Sequence, residues 1–181
     1  MKVIIAGLGN MGQSHALAYH AHPDAEIVGL VNRSAVELPE ALQGYPRLGT
    51  FEDGLALAPD LVCIATYSDS HAQYAIAAME AGADVFIEKP LANTVEDAER
   101  VVATAKRLGR KVVVGYILRH HPSWQRLITE ARALGGPYVF RMHLNQQSDG
   151  PTWETHKALM RDTSPIVDCG VHYVDVMCQI T

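Results

Sequence analysis

The chain has 181 residues, of which 48% are hydrophobic and 19% are charged, and its formal net charge is −5. This composition is typical of a globular protein with a sizeable core, and it excludes a disordered chain. The acidic balance gives no basic surface for nucleic acid or an anionic membrane, and no apolar run approaches the ~18 residues that span a bilayer.

Short apolar runs alternate with helical periodicities in the first part of the chain. Strands are predicted over 3–6, 26–31, 61–65, 84–87 and 111–114, and helices over 11–20, 36–42, 71–81 and 95–108. Continuous apolar strands are typical of a sheet that is covered on both faces. The alternation predicts βαβ units, and therefore an α/β fold with a doubly wound parallel sheet.

The pattern changes after about residue 119. A helix is predicted over 123–134, then a turn at residues 135–137 and a long half-exposed strand over 138–146. A final helix is expected after Ser164-Pro165, because serine is a preferred N-cap and proline a preferred first helical residue. We therefore predict two domains, residues 1–119 and residues 120–181.

A glycine-rich segment, Gly7-Leu8-Gly9-Asn10-Met11-Gly12, lies between the first strand and the first helix. In a G-x-G-x-x-G pattern the first glycine allows a tight turn and the second lets a pyrophosphate approach the backbone. The third lets helix and strand pack closely, and the helix N-terminus faces the phosphate charge. The strand–loop–helix context favours a Rossmann dinucleotide-binding domain over residues 1–119; a merely glycine-rich turn is the alternative.

The end of the second strand bears on the choice of cofactor. A site that prefers NAD usually has an acid about 20 residues further on, which binds the ribose 2′-hydroxyl. This chain has Asn32-Arg33-Ser34 there. An arginine with small polar neighbours can hold a 2′-phosphate, so the sequence favours NADP over NAD. A solvated arginine without a role is the alternative.

The final helix carries Asp168, His172 and Asp175 at i, i+4 and i+7, which is one helical face. Histidine can exchange a proton near neutral pH, and a carboxylate one turn away can fix its tautomer. A solvated surface pair, and a structural role for Asp175, are the alternatives. A buried apolar stripe is predicted on another face, at Val167, Val171, Val174 and Cys178.

Two further motifs complete an ordered set. Glu88-Lys89-Pro90 follows the strand at 84–87, and D-x-G-x-H-x-x-D spans 168–175. With the glycine loop, these motifs make the chain resemble the glucose-fructose oxidoreductase/inositol dehydrogenase/MocA family over essentially its whole length. Residues 64–66 with Ser70-His71 are similar to that family's nicotinamide-side loop, although Tyr67 stands where proline is usual. Residues 114–116 with Arg119 are similar to its crossover into the substrate domain.

The resemblance implies an NAD(P)-dependent oxidoreductase that transfers a hydride between the nicotinamide and a secondary hydroxyl or carbonyl of a sugar or polyol. Lys89 would hydrogen-bond the reacting hydroxyl, His172 would be the general acid/base, and Asp168 would orient His172 or contact the substrate. Gly170 would let the helix approach the cofactor, and the Lys89–Pro90 bond would be cis. Apart from the resemblance, Tyr116 is a candidate for lining the pocket, as is Asn145. The implied cofactor-binding residues are Gly7, Leu8, Gly9, Asn10, Met11, Gly12, Asn32, Arg33, Ser34, Ala65, Thr66, His71, Glu88 and Lys89.

Members of this family are usually considerably longer, and they associate through a large open sheet in the substrate domain. The resemblance therefore implies that residues 120–181 are the incomplete start of an α+β substrate domain. We expect either a fragment or a truncated gene product, with a homo-oligomer as the state of the full-length parent. A non-catalytic NAD(P)-binding module or inactive fragment is the main alternative. A methyltransferase with a similar glycine loop is a weaker one, because it leaves the E-K-P motif unexplained.

The remaining titratable residues give few signals. No metal site is predicted, because His20 and His22, like His120 and His121, lack cysteine or carboxylate partners at ligand spacing. His15 is interpreted as structural, at the edge of the cofactor site; Trp153, His156 and Asn145 are weak pocket candidates. Three buried thiols in a reducing compartment, and hence a cytoplasmic location, are expected for Cys63, Cys169 and Cys178.

Overall fold

The computed structural model describes residues 1–143, 149–150, 153–154, 157 and 164–181. Its strands are β1 (Lys2–Ala6), β2 (Glu26–Val31), β3 (Arg47–Leu48), β4 (Leu61–Ile64), β5 (Asp84–Ile87) and β6 (Val112–Val114). They form one sheet in the order β3-β2-β1-β4-β5-β6, and every neighbouring pair is parallel. The connecting helices are α1 (Asn10–Ala21), α2 (Phe51–Leu55), α3 (His71–Glu80) and α4 (Val95–Leu108). The predicted doubly wound parallel sheet is confirmed.

Both faces of this sheet are covered, because side chains alternate along each strand. In β1, Val3 and Ile5 belong to the apolar cluster that contains Ala16 of α1, whereas Ile4 and Ala6 belong to the cluster formed with α2, α3 and α4. All four strand residues are fully buried. The loop that leaves the carboxyl end of β1 therefore starts from a rigid, central position.

The sequence did not predict β3 or α2. A two-residue strand is too short to show a period. α2 begins with a capping box, in which Thr50 Oγ1 accepts from the Asp53 N–H at 3.1 Å and Asp53 Oδ2 accepts from the Thr50 N–H at 3.0 Å. Conversely, the helix predicted over 36–42 is wrong except for a 3₁₀ turn at Glu40–Leu42, since Pro39 has no N–H to continue a helix.

The structure comprises two compact units, residues 1–115 and 116–181. In the second unit, a 3₁₀ turn (Ile117–His120) precedes α5 (Pro122–Leu134), and a π-helical turn (Ile166–Gly170) runs into α6 (Val171–Ile180). The strand predicted over 138–146 is wrong for residues 138–143, which have no regular secondary structure, and residues 144–146 lie outside the described residues. Val139 is 97% exposed, so its side chain gains no burial that would stabilise a strand in this segment.

The final helix also differs from the prediction. Asp168 lies in the π-helical turn, so it does not share a regular α-helical face with His172. The predicted apolar stripe is wrong for Val174 and Cys178, which are exposed. The prediction assigned the buried positions to apolar residues alone, whereas Asp175 occupies one of them. The buried residues of α6 are Asp175, Val176 and Ile180.

The cysteines do not form a uniform class. Cys63 is buried in β4 as predicted, but Cys169 is half-buried and Cys178 is exposed, so the expectation of three buried thiols is wrong for Cys178. Across the described ranges, no helix combines the length and the apolar character that a bilayer crossing requires.

Candidate functional site

The glycine loop leaves β1 at the topological switch point of the sheet, where β1 lies between β2 and β4. Gly7 has φ of +90°, and a Cβ there would overlap the backbone of Ala65 and Thr66. A Cβ at Gly12 would overlap the carbonyl of Gly7, whereas the Cβ position of Gly9 has nothing within 4 Å. The outer glycines are therefore required by packing, and the middle one leaves open space beside the backbone.

The N-terminus of α1 suits an anion. Gly9 occupies the N-cap and has no side chain to cap the helix, and residues 10–13 include no acid. The first N–H groups of a helix have no partner within it, and they carry the positive end of the helix dipole. Asn10 and Met11 are exposed at this end. The open space at Gly9 and the uncapped helix end together fit the pyrophosphate of a dinucleotide.

Leu8 is held by side chains from two other segments. Its N–H donates to Oδ1 of Asn32 at 2.9 Å, and its carbonyl accepts from Nε2 of Gln13 at 3.0 Å. Nδ2 of Asn32 donates to the carbonyl of Ser34 at 2.8 Å. A carboxamide can accept and donate at once, which an aspartate could not do. Asn32 therefore ties the glycine loop to the end of β2, a role that sequence reasoning missed together with Gln13.

Arg33 projects from the same strand end. Its side chain is exposed, and its guanidinium makes no hydrogen bond or ion pair with any residue that the structure describes. Ser34 is exposed beside it. The Arg33 guanidinium can therefore meet a ligand without first giving up a hydrogen bond to a described residue, while the Ser34 carbonyl stays bonded to Asn32.

His71 joins two strand-end loops. It is 1% exposed, with ring Nδ1 2.7 Å from the Pro90 carbonyl and Nε2 3.1 Å from the Thr66 carbonyl. Thr66 Oγ1 lies 2.7 Å from Ser70 Oγ. His71 was predicted to contact the cofactor, but both of its ring nitrogens face backbone carbonyls of the protein. His71 therefore links the loop after β4 to the Lys89–Pro90 turn. The Lys89–Pro90 bond is cis, which confirms the expectation.

Glu88 connects α1 to the strand end that carries Lys89. It is 7% exposed, its Oε1 lies 2.7 Å from Nε2 of His15, and its Oε2 accepts from the Lys89 N–H at 3.2 Å. The His15 ring meets Phe86 edge-on at 4.8 Å, and a Cβ at Gly115 would come within 3.1 Å of the carboxylate. Burial acts to raise the pKa of Glu88, but the hydrogen bonds and charges of His15 and Lys89 outweigh it and lower the pKa.

We expect Glu88→Gln to weaken the pH dependence of folding stability in acid. The pKa of Glu88 is lower in the folded state than its ordinary value of 4.5. At pH values above 4.5 the ionised carboxylate therefore stabilises the fold in full. That stabilisation is lost as the pH falls through the lowered folded pKa. Urea unfolding from neutral pH to about pH 3 should show a shallower acid limb in the variant. The matched control is Glu99→Gln, at an exposed position of α4; equal slopes in the two variants would contradict the expectation.

The predicted catalytic residues are distributed over both units. Lys89 is half-buried in the first, and Asp168 and His172 are half-buried in the second. The π-helical turn that carries Asp168 is a rare irregularity, frequent at functional sites. The Tyr116 ring lies edge-on to His172, with centroids 6.4 Å apart and planes at 84°. A Cβ at Gly170 would come within 2.8 Å of the Ile166 side chain, so this glycine is required by local packing.

The weaker candidates gain little from the structure. Trp153 is 42% exposed, and His156 and Asn145 lie outside the described residues. His20 is engaged with the Tyr45 hydroxyl, 2.9 Å from its Nδ1. In the part of the chain that the structure describes, no three histidine, cysteine or acidic side chains are grouped so that they could hold a metal ion.

Comparisons with known proteins agree with this geometry. A family model described as an oxidoreductase family with an NAD-binding Rossmann fold matches residues 1–116. D-glucoside 3-dehydrogenase of Escherichia coli (strain K12) is 28% identical over 184 residues, which cover 97% of this chain and 52% of that protein. Inositol 2-dehydrogenase of Paracoccus denitrificans (strain Pd 1222) is 28% identical over 98% of this chain and 53% of that protein.

The similarity extends to solved structures. The crystal structure of an NAD-binding protein from Listeria innocua matches with a TM-score of 0.76 and 28% identity, over 97% of this chain and 53% of that one. The chain spans about half the length of the curated relatives it matches. Because the family model matches more than half of the chain, the chain belongs to the glucose-fructose oxidoreductase/inositol dehydrogenase/MocA family of oxidoreductases with an NAD-binding Rossmann fold.

Proposed function

We propose that the protein transfers a hydride between a nicotinamide cofactor and a secondary hydroxyl or carbonyl of a sugar, polyol or related compound. The observation that carries this proposal is the open space at Gly9, beside the uncapped N-terminus of α1 and at the switch point of the sheet. The substrate class is supported by the names of the relatives, a glucoside dehydrogenase and an inositol dehydrogenase.

The two units would divide the work. Residues 1–119 would be the dinucleotide-binding domain and residues 120–181 the beginning of the substrate domain; the structure separates its compact units close to this boundary, at Gly115. We place the protein in the cytoplasm, and we expect a homo-oligomer where the substrate domain is complete.

Three side chains carry the chemistry in this proposal. The nicotinamide supplies hydride transfer when it is bound. Lys89 holds the reacting hydroxyl and stabilises negative charge that develops on its oxygen. His172 removes the hydroxyl proton during oxidation and returns it during reduction, and Asp168 orients the ring. The position of Lys89 at the carboxyl end of β5 supports its role, because ligands of doubly wound sheets bind at that edge.

The cofactor would be held mainly by backbone. N–H groups at the start of α1, from Asn10 and Met11, would meet the pyrophosphate beside Gly9. Arg33 and Ser34 would meet a 2′-phosphate, which favours NADP over NAD. Leu8, Asn32, Thr66, His71 and Glu88 would act by shaping the loops that surround the cofactor.

Arg33→Ala is expected to weaken NADPH binding by roughly 10- to 100-fold, since a hydrogen bond to a charged group contributes about 1.5–3 kcal/mol. NADH affinity should stay within about twofold, because NADH has no 2′-phosphate for the guanidinium to meet. Fluorescence titrations with both cofactors, at matched ionic strength, measure the effect. Arg100→Ala is the control, since this exposed arginine lies on α4 and pairs with Asp97.

The titrations also test the proposed function. NADH binding that is tighter than NADPH binding and insensitive to Arg33→Ala would overturn the 2′-phosphate assignment and leave the dinucleotide site standing. Binding of neither cofactor would contradict the site itself. A screen of sugars and polyols for cofactor turnover then separates the enzyme from the alternative, a non-catalytic NAD(P)-binding module. The module is retained because the chain spans about half the length of its relatives; cofactor binding without any turnover would favour it.

A further inference from the structure

Asp175 is an acidic residue in a buried position of α6. Asp175 is 8% exposed, whereas the neighbouring Val174 is 47% exposed. The helix therefore buries the acid and exposes the apolar residue next to it. Arg119 Nε donates to its Oδ2 at 2.8 Å, and Nη2 of the same guanidinium donates to Oδ1. A fork of this kind admits one orientation of the carboxylate. The Asp175 side chain is buried but that of Arg119 is 45% exposed. Solvent therefore screens part of the attraction, and orientation is the expected benefit.

Arg119 also contacts the segments around α6. Its carbonyl accepts from Nε2 of Gln125 in α5 at 3.0 Å, and its Cζ lies 5.2 Å from the centroid of the Tyr116 ring. The Tyr116 ring also meets the His172 ring edge-on, with centroids 6.4 Å apart. Since His172 and Asp175 are three residues apart on one helix, the contacts form a closed loop through Asp175, Arg119, Tyr116 and His172.

We infer that Arg119 and Asp175 are positioning residues for His172: their pair fixes the rotation of α6, and Arg119 holds the Tyr116 ring against the imidazole. This inference rests on the proposed function, in which His172 moves the hydroxyl proton. The carboxylate of Asp175 is engaged by Arg119, so Asp175 would act on His172 through the position of α6. In the proposed function the orientation of the imidazole itself is assigned to Asp168.

The Arg119 guanidinium and the Tyr116 phenol keep one protonation state around neutral pH. Burial and the charge of Asp175 raise the pKa of Tyr116, although Arg119 opposes them, so the phenol stays protonated. The hydrogen bond with Asp175 raises the pKa of Arg119, which stays charged. A change in the pH profile near neutrality after substitution at Asp175 would therefore report on His172 rather than on this pair.

Asp175→Asn is expected to lower kcat by about 10- to 100-fold, because a small misorientation of a proton-transfer group is costly. It should shift the pH profile of kcat and leave the affinity for the cofactor within about twofold. Arg119→Lys keeps the charge but loses the fork, so a smaller loss in kcat with the same shift is expected. Glu130→Gln is the matched control: it removes the exposed Arg126–Glu130 pair of α5 in the same unit, and kcat should not change.

A second measurement does not depend on turnover. The imidazole signals of His172 in the NMR spectrum of the whole chain are assigned by their loss in His172→Gln. Asp175→Asn and Arg119→Lys should move these signals and change their pH midpoint, while Glu130→Gln should not. Circular dichroism checks that the variants keep their helices. If Asp175→Asn does not fold, the His172 signals of Arg119→Lys test the positioning role.

The outcomes separate the two proposals. Absence of turnover in the unsubstituted chain, with cofactor bound, would contradict the proposed function, and the NMR signals would then decide the inference by themselves. Turnover that is equally reduced by Asp175→Asn and Glu130→Gln, or His172 signals that are unmoved in both Asp175→Asn and Arg119→Lys, would overturn the positioning role.

Discussion

Replacing Lys89 with methionine should lower kcat by about 100- to 1,000-fold while NAD(P)H affinity stays within about twofold. Methionine keeps much of the length of the side chain and removes the charged donor that would stabilise the developing alkoxide. The cofactor contacts proposed for the glycine loop and Arg33 lie on other strand ends, so they should be unaffected. Stopped-flow or steady-state absorbance of the nicotinamide gives kcat, and fluorescence titration gives the affinity.

The control for this variant is Lys111→Met, which removes a positive charge at an exposed position immediately before β6. It should turn over like the unsubstituted chain. A Lys89→Met variant that retains most of its kcat would remove Lys89 from the mechanism. Equal loss of kcat and of cofactor affinity would instead indicate that the lysine serves the cofactor.

Gly12→Ala and Gly9→Ala should separate folding from binding within a single loop. A Cβ at Gly12 would overlap the Gly7 carbonyl, so Gly12→Ala should destabilise the fold by about 2–3 kcal/mol or more. Gly9 has φ of −70° and open space around its Cβ position. Gly9→Ala should therefore cost no more than about 1 kcal/mol of stability, through the poorer N-cap. It should nevertheless weaken cofactor binding by about tenfold or more, because the methyl group would enter the space for the pyrophosphate.

Urea unfolding and cofactor titration of both variants measure these two effects. Gly44→Ala serves as the reference for an unhindered glycine, since nothing lies within 4 Å of its Cβ position. Unchanged cofactor affinity in Gly9→Ala would mean that the pyrophosphate does not lie beside this residue. Unchanged stability in Gly12→Ala would contradict the close packing of α1 against the end of β1.

The geometry divides the residues of the E-K-P motif into different tasks. Glu88 is turned inward to His15, and the Pro90 carbonyl lies 2.7 Å from Nδ1 of the buried His71. The flanking residues of Lys89 are thereby held by α1 on one side and by the start of α3 on the other. A lysine carried by such a turn has a defined backbone position, which is what a group that must meet a reacting hydroxyl needs.

The sequence by itself determined the sheet class and the location of the glycine loop. Five of the six strands were predicted, because each is a short, mainly apolar run, of which residues 61–65 are a continuous apolar run typical of a doubly covered sheet. The roles of Gly7 and Gly12 were also predictable, since the tight turn and close packing of this motif follow from its spacing. β3 and α2 were missed because two and five residues are too few to show a period.

Only the tertiary structure decided which polar groups are paired. His15 and Glu88 are 73 residues apart in sequence, Leu8 and Asn32 are 24 apart, and Arg119 and Asp175 are 56 apart. Spacing along the sequence cannot predict such pairs, because the partners become neighbours only when the chain has folded. The final helix shows the consequence. Periodicity predicted a buried stripe that included Val174 and placed Asp175 on the titratable face, whereas Val174 is exposed and Asp175 is buried. Arg119, 56 residues away in sequence, satisfies the buried carboxylate.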